Sequence, residues 1–343
     1  DANTLAGRTT SVVTATIADG ALATLANLAE TGHAYAVTVT DTTAVASELT
    51  TLSGKTSVAV NANAVQSVEG NYAELSALYA AGSAGRITGL GNEAVNATGQ
   101  LTIAEANDLA TKTAGVVTAT ISNTMLADYA ALTETGNAYT IAISNTEIDA
   151  AALRALDAKT TGTISVPPGS SVSGVYADVH AVLTSGGIAN WSNPLVTVTG
   201  QVTTEQANVL AGLTSGVVTA TIEAGTAAWI NAALQNAEPT DALTITLTDA
   251  SVAATDLSGL NDKTHVAVNA ASVGTVTGTF EELQAAYAGG VAGLGNEAIT
   301  VNGAISVAEA NAAADLTSGV VTATISDGDL ATLNYLCLLY TSD

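Results

Sequence analysis

The chain of 343 residues sets 31 acidic side chains against 7 basic ones, a formal net charge of −24, with 48% apolar residues, 3% aromatics and one cysteine. Such a balance speaks against nucleic acid and against anionic membrane surfaces, where cations must neutralise phosphate, and a lone cysteine excludes an internal disulfide framework. No apolar run approaches the roughly 18 residues of a membrane span, and with so few aromatics the core is expected from Ala, Val, Leu, Ile and Thr.

In chain order, Asp1-Ala2-Asn3-Thr4-Leu5-Ala6 matches Glu105-Ala106-Asn107-Asp108-Leu109-Ala110. The sequence is therefore expected to open inside a repeat, in a helix, with no signal peptide. Next comes Val12-Val13-Thr14-Ala15-Thr16-Ile17, which returns unchanged as 116–121, 217–222 and 320–325. Self-similarity at a fixed period is the mark of stacked repeats. The superrepeat is about 103 residues long and divides into four units that alternate strand and helix periodicity.

The first unit is this hexapeptide strand and a helix carrying Leu22, Leu25, Ala26 and Ala29 on one face. The second alternates over Tyr35–Thr40 and continues into a predicted helix over Thr43–Leu52. The third runs Val58–Ala62, an extended stretch to Gly70, and a helix over Ala73–Ala80, with room for an extra loop or short strand before the fourth. The fourth is a strand over Glu93–Gly99 and a helix through Ala110. Capping boxes announce helix starts at Thr102/Glu105, Thr203/Gln206 and Ser306/Glu309. Asp41, Asn145 and Asp249 stand where N-caps are expected, and Thr31-Gly32 and Ala114-Gly115 where helices are expected to end. Pro167, Pro168, Pro194 and Pro239 all fall between predicted elements.

These units predict an α/β fold: a single repeat solenoid over 1–335, with a parallel β-sheet on one side, Ala-rich helices on the other, and a non-repeat tail at 336–343. Val13, Ala15 and Ile17 are expected to face the helices. The other strand face presents Thr14, Thr16, Thr38, Thr40, Asn61, Asn96 and Thr98, a lattice of short polar side chains and the candidate binding face. Thr is also ordinary β-face filler, since it suits strands.

The remaining motifs carry no chemistry. His33, His180 and His265 do not repeat and are expected on the surface or in loops. Lys55, Lys159 and Lys263 recur 104 residues apart, each followed by Thr, and read as loop cations near helix C-termini. Gly89-Leu90-Gly91-Asn92-Glu93-Ala94 and its copy at 293–298 precede a strand, the reverse of a dinucleotide fingerprint, and read as helix-to-strand turns. No spacing matches a calcium loop, a metal cluster or a nucleophile elbow, so neither catalysis nor a cofactor is expected.

The wording of the repeats (Val-Val-Thr-Ala-Thr-Ile, Gly-Leu-Gly-Asn-Glu-Ala, Asp262-Lys263-Thr264) resembles that of giant tandem-repeat cell-surface proteins of marine bacteria, cyanobacteria especially, over residues 1 to about 335. The resemblance implies an acidic, secreted, non-catalytic segment of a cell envelope or adhesive layer. Its partners would be flanking repeats of a longer chain or other cell-surface proteins; the alternative, read from the Thr/Asn strand face, is a module that binds ice or glycans. Leucine-rich repeats match in unit length only, because their Leu-x-x-Leu-x-Leu framework is absent.

Overall fold

A computed structural model describes residues 1–29 and 31–336; past Leu336 the expected tail lies outside the described residues. The fold is α/β, with several parallel sheets and intervening helices. The chain divides into two units. The first comprises Asp1–Thr146, Ala152–Pro167 and Ser185–Trp191; the second comprises Glu147–Ala151, Pro168–Thr184 and the residues from Ser192 onward.

In the first unit seven strands form one sheet, ordered Ile188–Ala189, Ile164–Ser165, Ala138–Ile143, Val117–Thr124, Ala94–Leu101, Ser67–Gly70 and Thr43–Val45. Two strand pairs accompany it: Thr14–Thr16 with Ala34–Ala36, and Val60–Asn61 with Ile87–Thr88. The latter supplies the short extra strand anticipated in the third unit of the superrepeat. The second unit holds a five-stranded sheet (Glu147–Asp149, Ser171–Gly174, Leu195–Val202, Val218–Ile222, Ala242–Thr244). It also holds a four-stranded sheet (Ser251–Ala253, Thr275–Gly278, Ala298–Ile305, Val321–Ile325) and the pair Val268–Asn269 with Val291–Ala292. All these pairings are parallel. Parallel neighbours require long crossovers, and here the crossovers contain the helices.

The repeated hexapeptide lies in a parallel strand in all four copies, though it is shorter in the first (Thr14–Thr16) and only half-buried in the first and last. In Val117–Thr124 and Val218–Ile222 the Val, Ala and Ile are buried and the two Thr exposed. The strand before it carries a bulge between its two paired segments. Gly99, Gly200 and Gly303 sit there at φ of 81°, 83° and 86°, in the left-handed region that favours glycine.

Several expectations need correction. Thr43–Val45 is a strand and the helix starts only at Ala46, running to Lys55. Gly32 and Gly115 are not helix caps: the helices Leu22–Leu25 and Ile103–Ala110 end on right-handed Ala26 and Thr111. Gly115 is needed for close approach instead, because a Cβ there would stand 2.3 Å from the Glu93 carbonyl oxygen. The core is not purely aliphatic either, since Tyr35, Tyr129 and Tyr139 are among its largest fully buried side chains. All three predicted capping boxes form, and two more appear at Asn71/Glu74 and Thr279/Glu282.

Candidate binding face and the polar ladder behind it

The polar strand face lies outward, as its period-2 alternation requires. Thr14, Thr16, Thr38, Thr40, Asn96 and Thr98 are exposed and Asn61 is half-buried. Only some of them are neighbours. Thr38 pairs with Asn61, and Asn96 lies between Glu69 and Thr118. Thr14 and Thr16 instead adjoin Ala34 and Ala36, and Thr98 falls in the bulge between the paired segments. Asn61 is engaged within its own turn, where its Oδ1 accepts from the Asn63 amide at 3.0 Å. Thr–Thr neighbours do occur further along, with Thr120 beside Thr140 and Thr300 beside both Thr277 and Thr322.

Behind this face, side chains reach from one strand level to the next and satisfy backbone groups there. The Val13 amide donates to His33 Nδ1 at 3.1 Å, the Val117 amide to Asn137 Oδ1 at 2.9 Å, and the Val218 amide to Asp241 Oδ1 at 2.8 Å. His33, Asn137 and Asp241 are all buried and stand 104 residues apart. This corrects the surface placement of His33. The position repeats an acceptor, not a residue type, and an accepting Nδ1 fixes the ring proton on Nε2. The signal was present in the spacing but hidden by comparing letters.

The threonine after each repeated lysine is a second such device. Thr56, Thr160 and Thr264 are buried. Each hydroxyl accepts from the amide of Tyr35, Tyr139 or Leu243 and donates to the carbonyl of the same residue. Lys159 behaves as expected of a cation near a helix C-terminus, its amine donating to the carbonyls of Tyr129, Ala130 and Leu132. Asp41, Asn145 and Asp249 do cap helices, but not the ones they precede. They accept from the first amides of the preceding helices, Leu22, Leu126 and Ala227, at 2.8, 2.6 and 2.8 Å. Asn107 likewise clamps the chain one level on, donating to the Ala131 carbonyl and accepting from the Thr133 amide. The fully buried amides served in this way, those of Val117, Val218, Tyr35, Tyr139 and Leu243, would otherwise each cost about 1–3 kcal/mol.

The turn Gly89–Ala94 joins the short strand Ile87–Thr88 to the strand Ala94–Leu101, and is not the helix-to-strand turn expected, because the extra strand intervenes; it holds a buried carboxylate that was not anticipated. Glu93 Oε1 accepts from the Tyr79 phenol at 2.5 Å, while Oε2 accepts from the amides of Gly91 and Asn92. Tyr287 and Glu297 reproduce the pair, with Gly295 and Asn296 supplying the amides. Burial first, then the bond to the carboxylate and its charge, push both phenols well above the ordinary tyrosine range. Every polar atom of the Glu93 carboxylate has a partner, so the arrangement fastens a turn and leaves no free acid or base.

Among the described residues no group of three His, Cys, Asp or Glu side chains could hold a metal ion. A groove beside the strand face brings Asp41, Glu48 and Glu69 near Asn96 without forming such a group. No described helix is long and apolar enough to cross a membrane. No family model, curated protein or solved structure matches the chain.

Proposed function

We propose that this chain is a structural or adhesive segment of a long extracellular repeat protein, a stretch of repeat solenoid that acts as stalk or interaction surface. Its first partners would then be flanking repeats of the same kind. The observation that carries the reading is the acceptor at His33, Asn137 and Asp241. A fixed structural task recurs every 104 residues while the residue performing it changes. That pattern suits a protein whose repeated product is the scaffold itself. Antibodies against the chain should label unpermeabilised source cells; labelling only after permeabilisation would overturn the extracellular placement.

A second reading, an ice- or glycan-binding module, is favoured by the outward Thr14, Thr16, Thr38, Thr40, Asn96 and Thr98. The alanines beside Thr14 and Thr16 weigh against a uniform lattice. Thermal hysteresis or a glycan-array signal from the isolated chain, lost in a Thr14→Lys/Thr38→Lys variant, would establish that reading. Silence in both assays leaves the stalk.

A further inference from the structure

Helices Leu22–Leu25 and Ala46–Lys55 pack against each other, and a cleft of about 160 Å³ opens between them. Its floor is apolar, made by Leu22, Leu25 and Leu52, with Glu48 and Lys55 at its sides. Glu48 stands in the first turn of the longer helix and Lys55 in the last. The two share one helix face, two turns and about 10.5 Å apart along the axis. Among the described residues neither the Glu48 carboxylate nor the Lys55 amine meets a hydrogen-bonding or ion-pairing partner.

The other superrepeats cross the corresponding gap with their own side chains. Positions can be matched because Asp41, Asn145 and Asp249 cap equivalent helices. In the second superrepeat Lys159, the counterpart of Lys55, reaches the carbonyls of Tyr129, Ala130 and Leu132, and Ala152 replaces Glu48. In the third, Asn231 stands where the first has Ala26, and its Nδ2 donates to Asp256, the counterpart of Glu48, at 3.3 Å. Gly259, in place of Thr51, makes room for it, since a Cβ there would stand 2.5 Å from Asn231 Nδ2. The first superrepeat keeps the acid and the base and has neither crossing. Its backbone is otherwise fastened alike, with Asn3 clamping Asn27 and Ala29 as Asn107 clamps Ala131 and Thr133.

We propose that this cleft binds a small amphoteric molecule, an apolar body of about benzene size with an ammonium group at one end and a carboxylate at the other. A cavity of about 150 Å³ with an apolar lining accommodates benzene, so the volume suits the body. Asp256 shows what Glu48 takes, an N–H donor entering from the gap. Lys55 receives the carboxylate, and charge-assisted hydrogen bonds at both ends fix the orientation. The two-turn spacing keeps Glu48 and Lys55 from neutralising each other, which leaves both charges for the ligand.

The test titrates 4-(aminomethyl)benzoate into the intact chain and follows the methyl resonances of Leu22, Leu25 and Leu52. Saturable shifts of these methyls are expected. Benzylamine and benzoate, which each lack one charge, should bind roughly tenfold more weakly, the worth of one charge-assisted hydrogen bond. Glu48→Gln should impose the same loss on 4-(aminomethyl)benzoate and leave benzoate binding unchanged; Lys55→Met should do so while leaving benzylamine unchanged. Ala26→Asn/Thr51→Gly, which copies the third superrepeat's crossing, should abolish the shifts with circular dichroism unaltered. Three results would overturn the proposal: no saturable shift at the leucine methyls, equal affinity for all three compounds, or shifts that persist in Ala26→Asn/Thr51→Gly. Glu48 is exposed, so Glu48→Gln folds as the parent does and decides the matter even where the double variant does not fold.

Discussion

The turn at Glu93 and the corresponding turn at Pro194 are built on one backbone anchor but fastened differently. In both, a buried or half-buried threonine donates to the carbonyl at the head of the strand: Thr113 to Glu93 at 2.6 Å, Thr214 to Pro194 at 2.8 Å. In both, a glycine two residues on lies against that carbonyl, Gly115 in one and Gly216 in the other. The Glu93 turn adds the Tyr79 phenol and two amides on a carboxylate, and the Glu297 turn repeats the addition. In the middle superrepeat Leu183 replaces the tyrosine and Pro194 the glutamate, so both halves of the pair are gone together. Asn190, at φ 64°, stands where Gly89 and Gly293 take left-handed backbone. The anchor defines the turn, and the tyrosine–glutamate pair is an addition that is tolerable only whole, because a half-satisfied buried network is worse than an apolar one.

The largest effect should come from splitting that pair. Glu93→Ala leaves one phenol and two amides without their acceptor and should cost about 3 kcal/mol, several times the value of a single exposed contact. Adding Tyr79→Leu to that variant should recover part of the loss, with a coupling on the order of 1–2 kcal/mol in a double-mutant cycle read by denaturant unfolding. Strict additivity would mean that the two side chains are not one unit. A smaller loss, about 1–3 kcal/mol from overpacking, is expected for Gly115→Ala and equally for Gly216→Ala, where a Cβ would meet carbonyl oxygens at 2.3 and 2.4 Å. Were Gly216→Ala harmless, the anchor would not be common to both turns.

Alkali offers a further way to sharpen the contrast. Burial, then the charge of Glu134, raises the Tyr139 phenol to about 12, and Tyr79 and Tyr287 shift in the same direction. A tyrosine freed by unfolding ionises near 10. Because the folded values are raised, the stability these groups contribute is complete below pH ~10 and is lost as pH climbs through 10 towards 12. Phenolate absorbance should therefore appear together with loss of far-ultraviolet circular dichroism. The Tyr79→Leu/Glu93→Pro variant, which copies the middle superrepeat, should show a shallower decline across that window. Phenols that titrate near 10 with structure intact would contradict their burial.

What could be read in the sequence follows from which physical signals are local. The alternation in Val117–Ile121 and the capping boxes at Thr102, Thr203 and Ser306 depend on residues a few places apart, and all form as expected. The outward placement of the Thr and Asn face follows from the same period. Bonds between strand levels span about 20 to 28 residues and have no such local signature. Hence Asp41 reads as the cap of the helix after it, although it caps the one before. The Lys-Thr repeat drew attention to its lysine, while Thr56, Thr160 and Thr264 hold adjacent levels together. Tyr79 and Glu93 lie 14 residues apart across a helix end, and only the absence of both from the middle superrepeat hints that they meet.

The smallest expected effect tests whether the acceptor ladder tolerates letters as freely as its three members imply. Asn137 can become Asp, as at 241, because either side chain presents an oxygen to the amide of the preceding strand. At 241 the carboxylate accepts from the Val218 and Glu238 amides, and at 137 the Val117 amide meets the same oxygen position. Asn137→Asp should therefore stay within roughly 0.5 kcal/mol of the parent at neutral pH, whereas Asn137→Leu, similar in size but without an acceptor, should lose about 1–3 kcal/mol. Val117 is fully buried, so water cannot take the place of the lost oxygen. Val13, half-buried opposite His33, can be reached by water, and His33→Leu should accordingly cost less than Asn137→Leu. The reverse order would mean that the histidine ring contributes through packing on Tyr35, whose ring centre lies 5.4 Å away, rather than through the nitrogen that faces Val13.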